Sequence, residues 1–302
     1  MIYLVIFAVV IAALGWYFRR TIYFVTLTVL GRNRYATAAQ VLRVPFHLPN
    51  NVRPEQAEQA IRAVRTDSHD YTLWDTPLGQ LWASKGASSL AEMVSEQLRS
   101  AYGVGAQSVR TGDIVLDGGA NIGVFARMAF RLGADKVIAV EPSSENLECL
   151  RRNFASELQQ SKFVIVSKGL WSTETTLSFA INPTRQEAGK IISNPSDLPP
   201  GHVLIEIPVV TVDGLKKSLG LDRIDFIKLD IEGAEREALA GAADTLLTDK
   251  PRMAICMYHL DDDIDVLPSQ IAKTNPTYKI ECGMCLSDGS FWRLRPKILF
   301  FR

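Results

Sequence analysis

The 302-residue sequence predicts an α/β fold: a mostly parallel sheet with helices on both faces, preceded by an N-terminal transmembrane helix. Three observations carry this. From Gly112 onward, short apolar runs alternate with helical stretches. Acids and glycines gather where those runs end. Met1 to Phe18 holds no charged residue, and Arg19-Arg20 follow at once.

The front of the chain comes first. Eighteen helical residues rise about 27 Å, close to the roughly 30 Å hydrocarbon core of a bilayer. Trp16 and Tyr17 sit where interfacial aromatics belong, and the arginines lie on the C-terminal side. This pattern predicts a single-pass anchor over residues 1–30, with the N-terminus outside and the remaining chain cytoplasmic. A cleaved signal peptide is disfavoured, since the positive leader and the small-x-small cleavage site are missing. A second apolar run, Ile22 to Leu30, extends the helix or lies in the interface.

Residues 31–110 read as a helical and hairpin extension. Pro54 to Arg65 has helical spacing, with Ala57, Ala60, Ile61 and Val64 on one face. Leu73 to Ala83 reads as a hairpin around Thr76-Pro77-Leu78-Gly79. Leu90 to Tyr102 is a second helix, with Met93, Val94, Leu98 and Tyr102 on one side.

Residues 111–302 form the main domain. Ile114 to Leu116, Lys136 to Val140 and Phe163 to Val166 read as buried strands. Helices Val124 to Leu132 and Ser143 to Leu158 lie between them. Strands Thr176 to Ile181 and Val203 to Val212 flank a polar loop with Pro195, Pro199 and Pro200. Ile224 to Leu229 and Arg252 to Tyr258 are further strands around a helix Glu235 to Leu247. The chain closes with an antiparallel pair, Tyr278 to Cys282 and Phe291 to Phe300, around Ser287-Asp288-Gly289.

Composition excludes several classes. Acidic and basic residues balance at 33 each, which argues against a nucleic-acid partner. Four cysteines in this length do not make a disulfide scaffold. Cys282 and Cys285 have metal-site spacing but no second pair, so a turn is expected and no metal.

Three motifs carry chemistry. Asp117-Gly118-Gly119-Ala120-Asn121-Ile122-Gly123 ends a buried strand with an acid and opens the next helix through small residues. In open α/β sheets ligands bind outside the carboxyl ends of strands. Glu141-Pro142 ends the next strand, where a carboxylate can accept both hydroxyls of a ribose. The loop passes as a degraded dinucleotide fingerprint, so an NAD-dependent oxidoreductase is an alternative. Asp117 weighs against it, because a carboxylate there repels a diphosphate and attracts the ammonium and sulfonium of S-adenosylmethionine. The third motif, Ile224 to Glu235, gathers Lys228, Asp230, Glu232 and Glu235 at one strand end. It reads either as a solvated strand-to-helix corner or as an acceptor site with Asp230 as general base or ligand.

In this order the motifs resemble the FkbM-type family of S-adenosylmethionine-dependent methyltransferases. Val212-Asp213-Gly214-Leu215 and Tyr258-His259 fit the same pattern, over roughly residues 110 to 300. The resemblance implies a class I methyltransferase fold, Rossmann-like, with seven strands and a late antiparallel one. It implies that Asp117, Gly119, Ala120, Asn121 and Gly123 line the methionine end. Glu141 and Pro142 would serve the ribose, and Ser167 to Leu170 the adenine. Asp230, Lys228 and His259 are the expected catalytic group, with Glu232, Glu235 and Tyr258 around the acceptor. The expected reaction is O-methylation of a sugar, lipid-linked or other small-molecule hydroxyl. A non-catalytic membrane-tethered module of the same fold is the other alternative, and the sequence does not specify the oligomeric state.

Overall fold

Strand alternation sorts the core into two layers, one on each face of a central sheet. A computed structural model describes residues 54–302 except 85–88, 104, 183–184, 192–194, 283–284 and 288–293, together with 14–16, 22, 25, 26 and 29. A helix Pro54–Ala60 leads into an antiparallel meander of β1 (Arg62–Thr66), β2 (Tyr71–Thr76) and β3 (Gly79–Ser84). The helix Leu90–Leu98 follows. The sheet proper begins with β4 (Ile114–Gly118), β5 (Lys136–Val140) and β6 (Phe163–Val166), linked through helices Val124–Arg131 and Ser144–Asn153. An insertion then adds β7 (Gly169–Leu170), β8 (Thr175–Asn182), β9 (Arg185–Ile191) and β10 (Val203–Val210) as a separate four-stranded sheet. The main sheet resumes with β11 (Phe226–Leu229), β12 (Arg252–Cys256) and β13 (Ile280–Cys282). A small pair, β14 (Cys285–Ser287) and β15 (Leu294–Pro296), precedes the last strand, β16 (Ile298–Phe301).

The seven-stranded order is β13-β16-β12-β11-β4-β5-β6. β16 runs antiparallel to both neighbours, and the pairs from β12 through β6 are parallel, so the sheet is mixed. On one face Leu116, Ile138, Ile227 and Ile255 pack together; on the other Val115, Val137, Phe226 and Ala254 do so. That is the two-residue period of a strand buried on both sides. The chain leaves β4 toward β5 on one side, while β11 pairs with its other side. Connections therefore diverge between β4 and β11, which opens a crevice at their carboxyl ends.

The meander is tied to the main domain by one buried side chain. Asn153 accepts from the Trp82 N–H at 2.6 Å and donates to the carbonyls of Trp82 (3.0 Å) and Ile122 (2.8 Å). These three bonds satisfy both ends of its amide.

Several expectations are corrected. Among the described residues no helix is long and apolar enough to cross a membrane. The described residues therefore include no N-terminal transmembrane helix, and the single-pass membrane localisation with a cytoplasmic domain is withdrawn. The longest described helix, Asp263–Thr274, has 12 residues and rises only about 18 Å. Most of the run Met1 to Phe18, and Arg19-Arg20 with it, lies outside the described residues, as does most of the Ser287-Asp288-Gly289 turn. The helix expected over Pro54 to Arg65 stops at Ala60, because Arg62–Thr66 pairs with β2 instead. The helix expected over Glu235 to Leu247 is split into Glu235–Ala240 and Ala243–Thr248. The break falls at Gly241, where a Cβ would lie 2.2 Å from the Trp171 carbonyl oxygen.

Candidate active site

A cavity of about 600 Å³ opens over the crevice between β4 and β11. Backbone groups shape its first wall. The Gly119 and Ala120 N–H groups donate to the Val140 carbonyl at 3.0 and 3.1 Å, which folds the glycine loop back onto the end of β5. Gly119 takes φ +73°, and a Cβ there would come 1.9 Å from the Asp230 carbonyl oxygen. Only glycine permits that approach of the two loops. Asn121, at φ +49°, donates its N–H to Glu141 Oε2 at 2.8 Å, and Ser143 donates to Oε1 at 2.9 Å. The Asn146 side chain also donates to this carboxylate, which with three donors keeps some acceptor capacity beside the cavity it lines. Burial pushes the Glu141 carboxyl up from its ordinary range, against the N–H groups of Ser143 and Asn121 that favour its anion.

Asp117 has a different place from its loop neighbours. It is fully buried, is not among the cavity-lining residues, and pairs in register with Lys228 on the adjacent strand. Lys228 Nζ lies 3.3 Å from Asp117 Oδ1 and donates to the carbonyls of Gly118 (3.1 Å) and Gly119 (2.7 Å). Burial opposes the Lys228 charge, but Asp117 and Asp230 override it and hold the ammonium protonated. The lysine neutralises the acid and fastens the glycine loop. Strand alternation contains this pairing: Asp117 and Lys228 each stand two residues beyond a core partner, Val115 and Phe226, on the same face.

The far end of the cavity is built from side chains. Asp230 Oδ2 accepts from the Tyr102 hydroxyl at 2.8 Å and Oδ1 from the Tyr258 hydroxyl at 3.1 Å. His259 Nε2 is 3.4 Å from Asp230 Oδ1, and its Nδ1 is 2.8 Å from Glu235 Oε1. Burial raises the Asp230 carboxyl, but Lys228, His259 and the Tyr102 hydroxyl outweigh it and hold the pKa below the usual value. Burial lowers the His259 pKa, but Glu235, Asp230 and Glu232 reverse this and keep the ring above its ordinary value. Glu235 is fully buried and also accepts from the Ile231 N–H at 2.8 Å.

The structure brings Gly119, Ala120, Asn121, Glu141, Pro142, Lys228, Asp230, Glu232 and Tyr258 to one cavity. Asp117, Gly123, Glu235 and His259 stand behind its surface, and Ser167 is exposed outside it. Gly123 answers to packing: a Cβ there would meet the Phe154 ring at 2.2 Å. After β6 it is Lys168 to Trp171 that reach the cavity. The sequence reading missed the wall opposite Asp230, formed by Glu92, Met93, Glu96 and Gln97 of the helix Leu90–Leu98. Their i, i+4 spacing was a readable signal, since both pairs share a face beside apolar Met93. It also missed the apolar wall of Phe179, Ile205, Ile207 and Val209 from the inserted sheet.

The charge of the cavity constrains what fits. Among the described lining residues five carboxylates (Glu92, Glu96, Glu141, Asp230, Glu232) face two lysines (Lys168, Lys228), and Lys228 is already engaged. A diphosphate meets repulsion here; a nucleoside carrying positive charge meets attraction. The vicinal hydroxyls of a ribose match the free acceptor capacity of Glu141.

Comparisons with known proteins agree with this geometry. The chain is similar to methyltransferase sdnD of Sordaria araneosa, 28% identical over 153 residues, which cover 42% of this chain and 59% of that protein. It shares its fold with a methyltransferase FkbM from Methylobacillus flagellatus KT, with a TM-score of 0.50 and 22% identity over 94% of this chain and 59% of that one. The chain thus spans about three fifths of each relative. The sequence profile of the methyltransferase FkbM domain matches residues 117–275, more than half of the chain, and the match runs through the glycine loop, Glu141-Pro142 and the Lys228 to Glu235 stretch. This chain therefore belongs to the methyltransferase FkbM domain family.

Proposed function

We propose that this protein is an S-adenosylmethionine-dependent methyltransferase that acts on a hydroxyl of a sugar or other small-molecule acceptor. The observation that carries the reading is the division of one cavity into two ends. Glu141 and the Gly119 to Asn121 backbone suit a ribose, and Asp230 with its two tyrosines suits a polar acceptor. The bound cofactor supplies an electrophilic methyl group on a sulfonium. The protein supplies the rest: Glu141 holds the ribose, the glycine loop lets the ligand approach the backbone, and the carboxylates favour its positive charge. Alignment and exclusion of water account for most of the rate gain in such a transfer. Lys228, itself part of the cavity wall, fixes the loop that both ends share. The excess of carboxylates over free lysines disfavours an NAD-dependent oxidoreductase.

Calorimetric titration with S-adenosylhomocysteine tests the reading. Saturable binding that weakens in Glu141→Ala is expected. Absence of binding, or preferential binding of NAD, defeats it.

A further inference from the structure

Two carboxylates, Asp230 and Glu96, line the same cavity close enough to feel each other's charge, and their surroundings are opposite. Asp230 is fully engaged: two tyrosine hydroxyls donate to it, His259 lies 3.4 Å away, and Lys228 adds positive charge. Each contact favours its anion, and an anion so stabilised is a poor proton acceptor. His259 is held toward its protonated form and stands behind the cavity surface. Glu96 differs in every respect. Its helix presents Glu92, Met93, Glu96 and Gln97 to the cavity, from a segment that precedes residues 117–275. Its carboxyl makes no hydrogen bond or ion pair with a described residue. Burial, then the negative charges of Asp230 and Glu92, push its pKa up to about 7; Lys297 and Arg99 pull weakly the other way. The remaining titratable neighbours are the phenols of Tyr102 and Tyr258, both held protonated by burial. A carboxyl poised near neutrality is suited to take a proton at the pH where the enzyme works.

We propose that Glu96 is the catalytic residue that takes the proton from the acceptor hydroxyl, while Asp230 and its tyrosines hold the hydroxyl-bearing group in place. The assignment rests on the methyl-transfer reading above. In the step, the hydroxyl oxygen bonds the methyl carbon and the electron pair of the broken carbon–sulfur bond stays with sulfur. The hydroxyl proton passes to the Glu96 carboxylate and from there to solvent.

Two measurements on the full chain test this. The first is carboxyl-carbon NMR of glutamate-labelled protein saturated with S-adenosylhomocysteine. A resonance with a midpoint near 7, absent from Glu96→Gln, is expected; a Glu96 carboxyl that titrates near the ordinary 4.5 overturns the assignment whatever the acceptor. The second compares methyl transfer to a panel of alcohol probes (methyl glycosides) with transfer to a nitrophenol, which is already ionised at the assay pH. Glu96→Gln is expected to lose about 10²- to 10⁴-fold on the alcohols and much less on the phenol, with unchanged affinity for S-adenosylhomocysteine. Equal losses on both probes, or full transfer to an alcohol by Glu96→Gln, overturn the role of Glu96 and leave the methyl-transfer reading standing. Wild-type protein that binds no S-adenosylhomocysteine, or that methylates only amine or thiol probes, removes the reading beneath it.

Discussion

The two ends of the cavity are made differently. The end proposed for the nucleoside is built chiefly from backbone groups and one carboxylate, drawn from two consecutive strand ends only 20 residues apart in the chain. The acceptor end consists of side chains from distant places: Tyr102 reaches across 128 residues to Asp230, and Glu96 comes from the same early segment. A backbone site is held by the sheet that carries it and tolerates little change. A side-chain site depends on how separate elements pack, and single substitutions can alter it without loss of the fold. On the proposed reading, rigid recognition of a common cofactor and adjustable recognition of an acceptor are divided along one crevice.

Substitutions at either end sharpen or break this contrast. The largest effect is expected from Gly119→Ala, which drives a methyl group into the Asp230 carbonyl at a left-handed φ. A stability loss of at least about 3 kcal/mol and loss of S-adenosylhomocysteine binding should appear in urea unfolding and calorimetry. Near-normal stability would mean that the two loops can part at small cost. Asp230→Asn should come next. It disturbs the groups that orient the acceptor, so transfer should fall about 100-fold while cofactor affinity moves less than about 3-fold. Parallel loss of both would make the ends one unit. Glu141→Gln should weaken S-adenosylhomocysteine by about 10-fold, one or two charge-assisted hydrogen bonds, and leave the rate at saturating cofactor nearly unchanged.

The smallest effect concerns pH. The His259 pKa is raised in the folded state, so its contribution to stability is fully present below about pH 6.5 and is lost as pH rises through the folded value. Melting curves of His259→Gln should therefore lack a downward slope that the wild type shows as pH rises above about 6.5. The opposite sign would mean that burial outweighs Glu235, Asp230 and Glu232.

Much of the nucleoside end was legible because its determinants are local. Apolar runs such as Val137 to Val140 announced buried strands, and an acid after three of them, Asp117, Glu141 and Asp230, marked the carboxyl edge. Asp117 was legible as an acid but not as half of an ion pair, since its partner Lys228 stands 111 residues later and only strand register unites them. Glu96 carried a local signal, its i, i+4 spacing with Glu92, but not its destination. Only the packing of the helix Leu90–Leu98 brings both carboxylates to the cavity. The anchor expectation failed on another ground. Absence of charge in Met1 to Phe18 reports apolarity, whereas a membrane span also requires a continuous long helix, and no described helix meets that length.

The helix Leu90–Leu98 has one more consequence. It brings Glu92, Met93, Glu96 and Gln97 to the cavity, at the end proposed for the acceptor, from outside the stretch that the family profile matches. Two family members could share every residue that grips the cofactor and still modify unrelated molecules, with the selectivity written upstream of the domain. Grafting a foreign segment ahead of an unchanged domain is then a direct way to retarget such an enzyme.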